Sequence, residues 1–460
     1  MGHSAKSSDG GVGESIAELI AKRAAETPEA VFLEDARGDR VVRYGELAGL
    51  AAHAGALDAG TAVVITAEDP IDFALTYLGA LAAGRCVAPV APDTSPAVVA
   101  TLREQLDDAP ARNGGSVVLF TSGSTGTPKG VELSVAQLLH VARAVAAHNE
   151  LTAADRGYNP LPLFHINAEV VALLATLVAG SALVLDRRFH RTGFWQLMRD
   201  RRITWINAVP AILAILAKDP IEAPPGLRFI RSASAPLPAP VAAAFDGIPL
   251  VVSYGMTEAA SQITATPLDG SAPDGSVGRA VGAQVEARDE SGKPLGEASV
   301  GALWIRGDGV ISRYFKNAAA DRFDDDGWLS TGDLGSVDAD GFVTLLGRSD
   351  DVINRGGELV YPADVENVLL GDPRVREAVV VAKPDAVLGE VPVAFVVPAD
   401  SDGGETDASG LRASLLERAS AELPRHLRPV EITVTSELPR AATGKVQRAR
   451  MRSALQGERR

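Results

Sequence analysis

A short segment rich in glycine and hydroxyl residues, 119–130, carries the residue types that bind phosphate groups; its sequence is LFTSGSTGTPKG. Glycine lets backbone N–H groups approach phosphate oxygens, the hydroxyls donate further hydrogen bonds, and Lys129 adds positive charge. The spacing is G-x-x-G-x-x-K with Pro128 before the lysine, whereas a Walker loop needs G-x-x-x-x-G-K followed by Ser or Thr. The segment predicts a phosphate-binding loop that is not a Walker loop, and a surface turn is the alternative interpretation.

Seven further segments form a series along the chain. They are YGEL (44–47), LAAGRCVAPVAP (81–92), PLFHINAE (162–169), SYGMTE (253–258), STGDL (330–334), GRSDDVINRGGELVYPADVE (347–366) and PRAATGKVQR (439–448). Together with TSGSTGTPKG they resemble the motifs of the adenylate-forming superfamily, which contains acyl-CoA synthetases, adenylation domains and luciferases. The motifs occur in the family's order, so the resemblance covers nearly the whole chain.

The resemblance implies that a carboxylate attacks the α-phosphorus of ATP and gives an acyl-adenylate and pyrophosphate. An anion must approach a polyanion, so catalysis consists of positioning and charge neutralisation. Lys445 matches the family's C-terminal lysine and is expected to bridge the carboxylate and α-phosphate oxygens. Thr257 is expected to donate its hydroxyl to the α-phosphate, and His165 is assigned to the catalytic group with these two.

The resemblance also assigns the nucleotide and metal contacts. Tyr254 is expected to stack on adenine, Asp333 to accept hydrogen bonds from the ribose diol, and Arg348 to contact ribose or phosphate. Glu258 is expected to hold Mg²⁺, a hard ion that takes oxygen ligands and bridges phosphates. The full set implied for the nucleotide and thiol cofactors is Thr121, Ser122, Gly123, Ser124, Thr125, Gly126, Lys129, Ser234, Ala235, Pro236, Tyr254, Gly255, Met256, Asp333, Arg348, Gly356 and Gly357.

A hinge is implied at Asp350, about which a small C-terminal domain would rotate between two half-reactions. One pose would present Lys445 for adenylation. The other would bring Gly356 and Gly357 to the site and leave a channel for the pantetheine arm of CoA. A simple Gly-Gly hairpin is the alternative interpretation of this pair.

The acid is less well defined by the sequence. His165 stands where amino-acid-activating members have an aspartate, which disfavours an α-amino acid. Glu169 either faces the acyl pocket and favours a cationic acid, or faces solvent or an internal arginine. We expect the pocket to involve His165, Asn167, Ala208 and Ser253, and to accept a medium-sized or aryl carboxylic acid.

The acceptor is expected to be CoA, which makes the chain an acid–CoA ligase. The alternative is a stand-alone adenylating enzyme that passes the acyl group to a carrier protein or another nucleophile, including nitrite-activating, diazotase-type chemistry. An inactive nucleotide-binding scaffold is the third hypothesis. It is disfavoured because Lys445, Glu258, Thr257, Asp333 and Arg348 are all present.

The elements that position these residues alternate between Ala-rich helices and short Val/Ile/Leu strands in the first part of the chain, which is typical of helices packed on a parallel sheet. We predict an α/β fold with an α+β lid. Helix-flanked sheets and a β-barrel-like layer form the N-terminal domain (1–350), and a small mobile α+β domain follows (351–460). Residues 1–15 are expected to be disordered. The stretch 96–117 is shorter than in family members, which suggests a specialised biosynthetic role.

Composition limits the class of partner. The 460 residues include 44 Lys and Arg against 59 Asp and Glu, a net charge of −15, which disfavours nucleic acid and anionic membranes. Residues 425–460, in contrast to the chain as a whole, carry more Lys and Arg than Asp and Glu, which suits the binding of a phosphate-rich small molecule. The single cysteine, Cys86, excludes an intrachain disulfide and is typical of a cytoplasmic protein. No membrane span is expected, and the protein should be a monomer or a homodimer.

Overall fold

The computed structural model describes residues 14–50, 62–107, 114–121, 129–317, 320–399, 407–440 and 446–457. The chain divides into two compact units. The first comprises Met1–Leu237, Val241–Val285 and Ile305–Leu329, and the second Pro238–Pro240, Glu286–Trp304 and Ser330–Arg460. The functional boundary at residue 350 stays a prediction. None of the described helices is both long enough and apolar enough to cross a bilayer.

The first unit contains most of the described helices. They are α1 (Ile16–Glu26), α2 (Pro70–Ala82), α3 (Pro96–Asp107), α4 (Val135–His148), a π-helix (Asn167–Leu174), α5 (Ala175–Ala179), α6 (Phe194–Asp200) and α7 (Pro210–Leu216), followed in the chain by α8 (Ala239–Ala243). Local capping explains several starts. Ser15 and Glu18 form a capping box at α1, and Asp69 caps α2 ahead of Pro70.

Two sheets belong to the first unit. Their strands are β1 (Val31–Asp35), β2 (Val41–Arg43), β3 (Val63–Ile65), β4 (Cys86–Pro89), β5 (Ser116–Thr121), β6 (Lys129–Ser134), β7 (Arg156–Asn159), β8 (Ala182–Leu185), β9 (Trp205–Ala208), β10 (Phe229–Ser232), β11 (Leu250–Tyr254), β12 (Thr264–Ala265) and β13 (Ser276–Ala280). One sheet has the order β3-β4-β5-β6, and the other runs β13-β12-β11-β10-β9-β7-β8-β1-β2. The six strands of the run β11-β10-β9-β7-β8-β1 are parallel to one another, which confirms the predicted α/β class.

The parallel strands form the centre of the core. Every residue of β8, β9 and β10 is buried, as expected for a sheet covered on both faces. The ring of Trp205 on β9 stacks on Phe229 of β10 with centroids 5.9 Å apart. Gly157 on β7 makes room for that indole, because a Cβ there would lie 2.4 Å from a ring carbon of Trp205.

Residues 170–185 are an uncharged run in which Gly180 and Ser181 predict a helix, a turn and a strand, and the structure agrees in outline. Gly180, with φ of 71°, ends α5, and β8 follows at Ala182. The difference lies at the start, where residues Asn167–Leu174 form a π-helix and not an α-helix. Apolar periodicity does not distinguish these two helix types over eight residues. The shortened stretch 96–117 still holds α3, and β4 and β5 on either side of it pair in parallel.

The second unit is α+β, as predicted. Its strands are β14 (Gln284–Arg288), β15 (Gly301–Arg306), β16 (Leu329–Val337), β17 (Phe342–Arg348), β18 (Ile353–Arg355), β19 (Glu358–Val360), β20 (Val375–Asp385), β21 (Gly389–Pro398) and β22 (Glu431–Val434). One or two terminal residues of β14, β15 and β16 are assigned to the first unit. Its helices are α9 (Pro362–Leu370), α10 (Ala408–Glu422) and α11 (Arg448–Gly457). Strands β18 to β22 form a five-stranded sheet with its own core.

Candidate active site

Four neighbouring parallel strands of the first unit end at one edge of its large sheet, in the order β11-β10-β9-β7. Each leads into predicted site residues: β7 precedes 162–169, β9 ends at Ala208, β10 precedes 234–236, and β11 precedes 255–258. Ligands of open α/β sheets bind outside the carboxyl ends of the strands. This carboxyl edge is the candidate active site of the first unit.

The segment after β11 forms a tight reversal. A Cβ at Gly255 would lie 1.4 Å from the carbonyl oxygen of Ser261, so this position requires glycine. The Ser261 N–H donates to the carbonyl of Met256 at 3.1 Å and closes the reversal. Tyr254 ends β11 half-buried, and Thr257 begins a 3-10 helix. The predicted adenine, phosphate and magnesium residues of this motif are therefore neighbours on one rigid turn.

Glu258 is held by two residues from a distant part of the first unit. The Tyr314 hydroxyl donates to its Oε1 at 2.7 Å, and Arg322 Nη1 lies 3.3 Å from the same oxygen. The Oε2 atom has no hydrogen-bond partner within the described residues, so one hard oxygen ligand remains available. The described residues hold no cluster of three or more His, Cys, Asp or Glu that could bind a metal by itself. Glu258 therefore fits an ion whose other ligands come from phosphates and water.

The loop after β10 carries the predicted adenine-flanking residues Ser234, Ala235 and Pro236, all of them exposed. Ser234 has φ of 75°, in the left-handed region that favours glycine. A serine therefore occupies a backbone conformation that glycine adopts more readily.

His165 lies between β7 and the π-helix. Its ring is 4.6 Å from that of Phe164, measured between centroids, and its carbonyl accepts hydrogen bonds from the N–H groups of Ala168 and Glu169. The side chain is partly exposed. The first turn of the π-helix then directs Asn167 toward β9, where its Oδ1 accepts a hydrogen bond from Asn207 at 2.9 Å.

A buried polar network lies at this edge, and sequence reasoning did not find its centre, Arg231. The guanidinium donates to Ser253 Oγ at 2.6 Å, to Asn207 Oδ1 at 3.2 Å and to Gln262 Oε1 at 3.0 Å. Asn207 Nδ2 donates in turn to Asn159 and Asn167, each at 2.9 Å. The signal in the sequence was an arginine inside the apolar, fully buried strand FIRS, a place where arginine is rarely found unpaired.

The network follows from strand register. Arg231 is paired with Asn207 across β10 and β9, so the two side chains share one face of the sheet. Ala208, predicted to line the acyl pocket, packs with Ile206 and Ile230 in a core cluster. It is fully buried, and its neighbour Asn207 is the β9 residue that joins the network.

No acid among the described residues balances the charge of Arg231. Its residue is 1% exposed, and within the described chain its partners are all neutral. Burial lowers the pKa of Arg231 to about 9, so the guanidinium remains charged at neutral pH. A buried polar group that is left without a hydrogen-bond partner lowers the free energy of unfolding by about 1–3 kcal/mol. An unbalanced buried cation is therefore a costly feature of the fold.

Glu169, a second fully buried ionisable residue of this region, does not pair with Arg231. It is fully buried and accepts a hydrogen bond from the Tyr77 hydroxyl at 2.9 Å. Burial raises the pKa of Glu169 to about 8, although the Tyr77 hydrogen bond opposes this shift. The expectations that Glu169 faces solvent or an internal arginine are wrong, because its environment is apolar and keeps the carboxyl largely protonated at neutral pH.

In the second unit, the predicted ribose residues are direct neighbours. Arg348 Nη1 donates to Asp333 Oδ1 and to the carbonyl of Thr331, both at 3.1 Å. Asp333 and Arg348 are paired across β16 and β17. Gly332 has φ of 76°, and a Cβ there would lie 2.8 Å from Arg348 Nη2, so the glycine allows the guanidinium to reach the turn.

The predicted hinge and channel residues also lie in the second unit. Asp350 is in a 3-10 helix (Ser349–Asp351), and its carbonyl accepts a hydrogen bond from Arg452. Gly356 and Gly357, with φ of 63° and 94°, form the two-residue turn between β18 and β19. Gly356 and Gly357 therefore form a hairpin turn, and their role in a thiol channel stays a prediction.

Two predicted groups fall outside the described residues: the loop residues Ser122, Gly123, Ser124, Thr125 and Gly126, and the lysine Lys445. The backbones of Thr121 and Lys129 are described, and the two residues pair across β5 and β6. Their side chains are not described.

Family models match both parts of the chain. Residues 103–315 match the AMP-binding enzyme model, and residues 364–445 match the AMP-binding enzyme C-terminal domain. A sulfoacetate–CoA ligase from Cupriavidus necator is 34% identical over 95% of this chain and 97% of its own length. An oxalate–CoA ligase from Arabidopsis thaliana is 36% identical over 73% of this chain and 66% of its own.

Among solved structures, an o-succinylbenzoate–CoA synthetase from Bacillus subtilis in complex with its acyl-adenylate intermediate has a TM-score of 0.82. It is 26% identical and covers 94% of this chain and 97% of its own. The fold and these matches define an adenylate-forming ligase. The chain belongs to the AMP-binding enzyme family, and its activity is that of an AMP-forming acid–CoA ligase, which activates a carboxylic acid with ATP and transfers it to CoA.

Proposed function

We propose that the carboxyl edge of the large sheet binds the acid and the nucleotide, and that the residues assigned from the sequence perform the adenylation there. The observation that carries this proposal is the rigid turn after β11, which holds Tyr254, Thr257 and Glu258 within five residues. An aromatic ring, a hydroxyl donor and a carboxylate on one turn suit a base, a phosphate and a cation respectively. The turn is fixed before ligand arrives, so little reorganisation accompanies binding.

Lys445 supplies the positive charge for adenylation in this proposal. It bridges the acid's carboxylate and the α-phosphate, and so reduces the repulsion between two anions as they approach. Thr257 donates a hydrogen bond to the α-phosphate, and the loop residues 122–126 hold the other phosphates. Asp333 and Arg348 bind the ribose. Glu258 would hold Mg²⁺ through its available oxygen, and the ion, when bound, neutralises phosphate charge.

CoA is the favoured acceptor because the relatives are named CoA ligases. Those relatives act on sulfoacetate, oxalate and o-succinylbenzoate according to their names, and these acids are a starting panel for assay. A comparison of turnover with and without CoA tests the transfer step directly.

Lys445→Ala tests the proposal. We expect it to abolish acid-dependent ATP–pyrophosphate exchange, while a supplied acyl-adenylate still reacts with CoA, since the lysine is assigned only to the first half-reaction. Lys316→Ala, which removes an exposed lysine, is the control and should leave exchange unchanged. Unchanged exchange in Lys445→Ala would exclude the assignment.

A further inference from the structure

In the polar network around Arg231, the guanidinium is the donor of every hydrogen bond that it makes to described residues. A guanidinium has only donors, so every group that faces it must present an acceptor. Gln262 and Asn207 therefore turn their amide oxygens to Arg231, as observed, and their N–H₂ groups point away from it. Ser253 accepts from Arg231 through its oxygen, so its hydroxyl hydrogen also points away.

The outward groups of the network are consequently donors. Gln262 Nε2 is buried and has no hydrogen-bond partner within the described residues. The hydroxyl hydrogen of Ser253 has no acceptor among the described residues. Asn167 receives the Asn207 hydrogen bond on its oxygen, which leaves its own N–H₂ group available. Within the described residues, no acceptor receives Gln262 Nε2 or the Ser253 hydroxyl, and unpaired donors beside an unbalanced cation match an anion.

The network also lies where the acid is expected. Arg231, Asn207 and Ser253 are each the last but one residue of β10, β9 and β11, at the carboxyl edge of the sheet. Ser253 directly precedes the turn that begins with Tyr254, and Asn167 follows His165 by two residues. Both Ser253 and Asn167 were predicted from the sequence to line the acyl pocket.

We propose that Arg231 and the donors Ser253, Asn167 and Gln262 recognise a second anionic group on the acid, so that the substrate is a small acid with two negative charges. This inference rests on the proposed function, because it takes the carboxyl edge as the acid site. Arg231 acts here as a specificity-determining residue. The first carboxylate is left free for adenylation, and the second group remains ionised throughout the reaction.

The test compares acids that differ only in the second charge, with pyrophosphate release measured on the full chain in the presence of ATP, Mg²⁺ and CoA. The pairs are oxalate and acetate, malonate and propionate, and succinate and butyrate, with sulfoacetate added to the panel. We expect at least one two-charge acid to exceed its partner about 100-fold in kcat/KM. The monomethyl ester of that acid, which removes the second charge without altering the protein, should fall to the level of the single-charge acid.

Arg231→Gln should remove the preference for the two-charge acid by lowering its kcat/KM about 100-fold, with the single-charge acid changed less than threefold. Arg231→Lys, which keeps the charge, should retain part of the preference. Arg228→Gln is the matched control, since Arg228 precedes the same strand and pairs with Asp155 at 2.8 Å. A purely structural role of Arg231 predicts equal losses for both acids, and that result would overturn the assignment.

Should Arg231→Gln fail to fold, Ser253→Ala and the ester comparison decide the question on a folded protein. Ser253→Ala should raise KM for the two-charge acid without changing that of its partner. If the wild-type chain has the same kcat/KM for both acids of every pair, such as propionate and malonate, the inference is overturned and the ligase proposal remains intact. A chain that releases pyrophosphate with none of these acids but does so with an aryl or longer single-charge acid also overturns the inference and leaves the ligase proposal intact.

Discussion

Glu169 and Arg231 show how differently burial affects two ionisable side chains. Both are almost fully excluded from solvent, and they do not pair with each other. A carboxyl can give up its charge near neutral pH by taking a proton, so the cost of burying Glu169 appears as a raised pKa of about 8. A guanidinium stays charged, and the cost of burying Arg231 remains in the structure until an anion arrives.

The raised pKa of Glu169 makes stability depend on pH. The folded protein holds this proton up to about pH 8, whereas the unfolded chain releases it near the ordinary value of 4.5. Between those values the native state binds more protons, so the free energy of unfolding should fall by about 1.4 kcal/mol per pH unit as pH rises. Glu169→Gln lacks this proton and should lose that slope, as urea unfolding at pH 5, 6, 7 and 8 would measure.

Glu290→Gln, which changes an exposed glutamate, is the matched control and should follow the wild type at every pH. Parallel stability curves for wild type and Glu169→Gln would show that Glu169 is ionised in the folded protein. The pH dependence of activity cannot replace this measurement, because the protonation states of ATP and of the acid substrate also change with pH.

At the scale of elements, the turn after β11 depends on a segment far along the chain. Tyr314 and Arg322 both contact the Glu258 carboxylate, and the Ile311 N–H donates to the Glu258 carbonyl at 2.9 Å. These contacts fix the 3-10 helix (Thr257–Ala259) from one side while Ser261 closes it from the other. The geometry of the proposed magnesium ligand is therefore set by residues that would not touch the ion.

Tyr314→Phe should weaken magnesium use with little effect on folding, because it removes one hydrogen bond and keeps the ring. We expect the Mg²⁺ concentration for half-maximal pyrophosphate release to rise about 10-fold. Tyr361→Phe, a tyrosine of the second unit without a role in the proposed site, should leave it unchanged. An unaltered Mg²⁺ dependence in Tyr314→Phe would mean that Glu258 is not a ligand or does not need this tether.

The sequence predicted the elements better than their mutual contacts. The strands that bear the motifs and the helices around them follow from local periodicity, and the motifs follow from short spacings. Arg231, Asn207 and Asn159 were missed because they lie on three strands separated by 24 and 48 positions, and only the order β10-β9-β7 brings them together. The left-handed φ of Ser234 is a property of the folded loop, which the residue type alone does not indicate.

In the whole molecule, part of the positive charge near the C-terminal end of the sequence is paired with acidic side chains, which composition does not show. Residues 425–460 contain nine Lys and Arg against three Asp and Glu. Several of these arginines are engaged within the second unit: Arg448 pairs with Glu366 at 2.6 Å, Arg452 with Asp351 at 3.2 Å, and Arg440 with Glu377. Much of the cationic surplus of the tail therefore stabilises its own unit.

A hinge at Asp350 predicts that the two half-reactions can be separated. Asp350→Pro fixes φ near −65° and should hinder rotation. We expect acyl-adenylate formation in a single turnover to persist and CoA consumption to fall at least about tenfold, as a gating role predicts. Asp350→Ala, which keeps backbone freedom, is the control and should retain both steps. Equal losses in both half-reactions would place the hinge elsewhere.

The contact between Gly157 and Trp205 constrains how this chain can evolve. The indole of Trp205 occupies the space in which a side chain at position 157 would lie. It also stacks on Phe229, which belongs to the same strand as Arg231. A larger residue at 157 is acceptable only after position 205 has become smaller, and a smaller residue at 205 first opens a cavity. The two positions are thus expected to change together in descendants of this sequence, through an intermediate of reduced fitness.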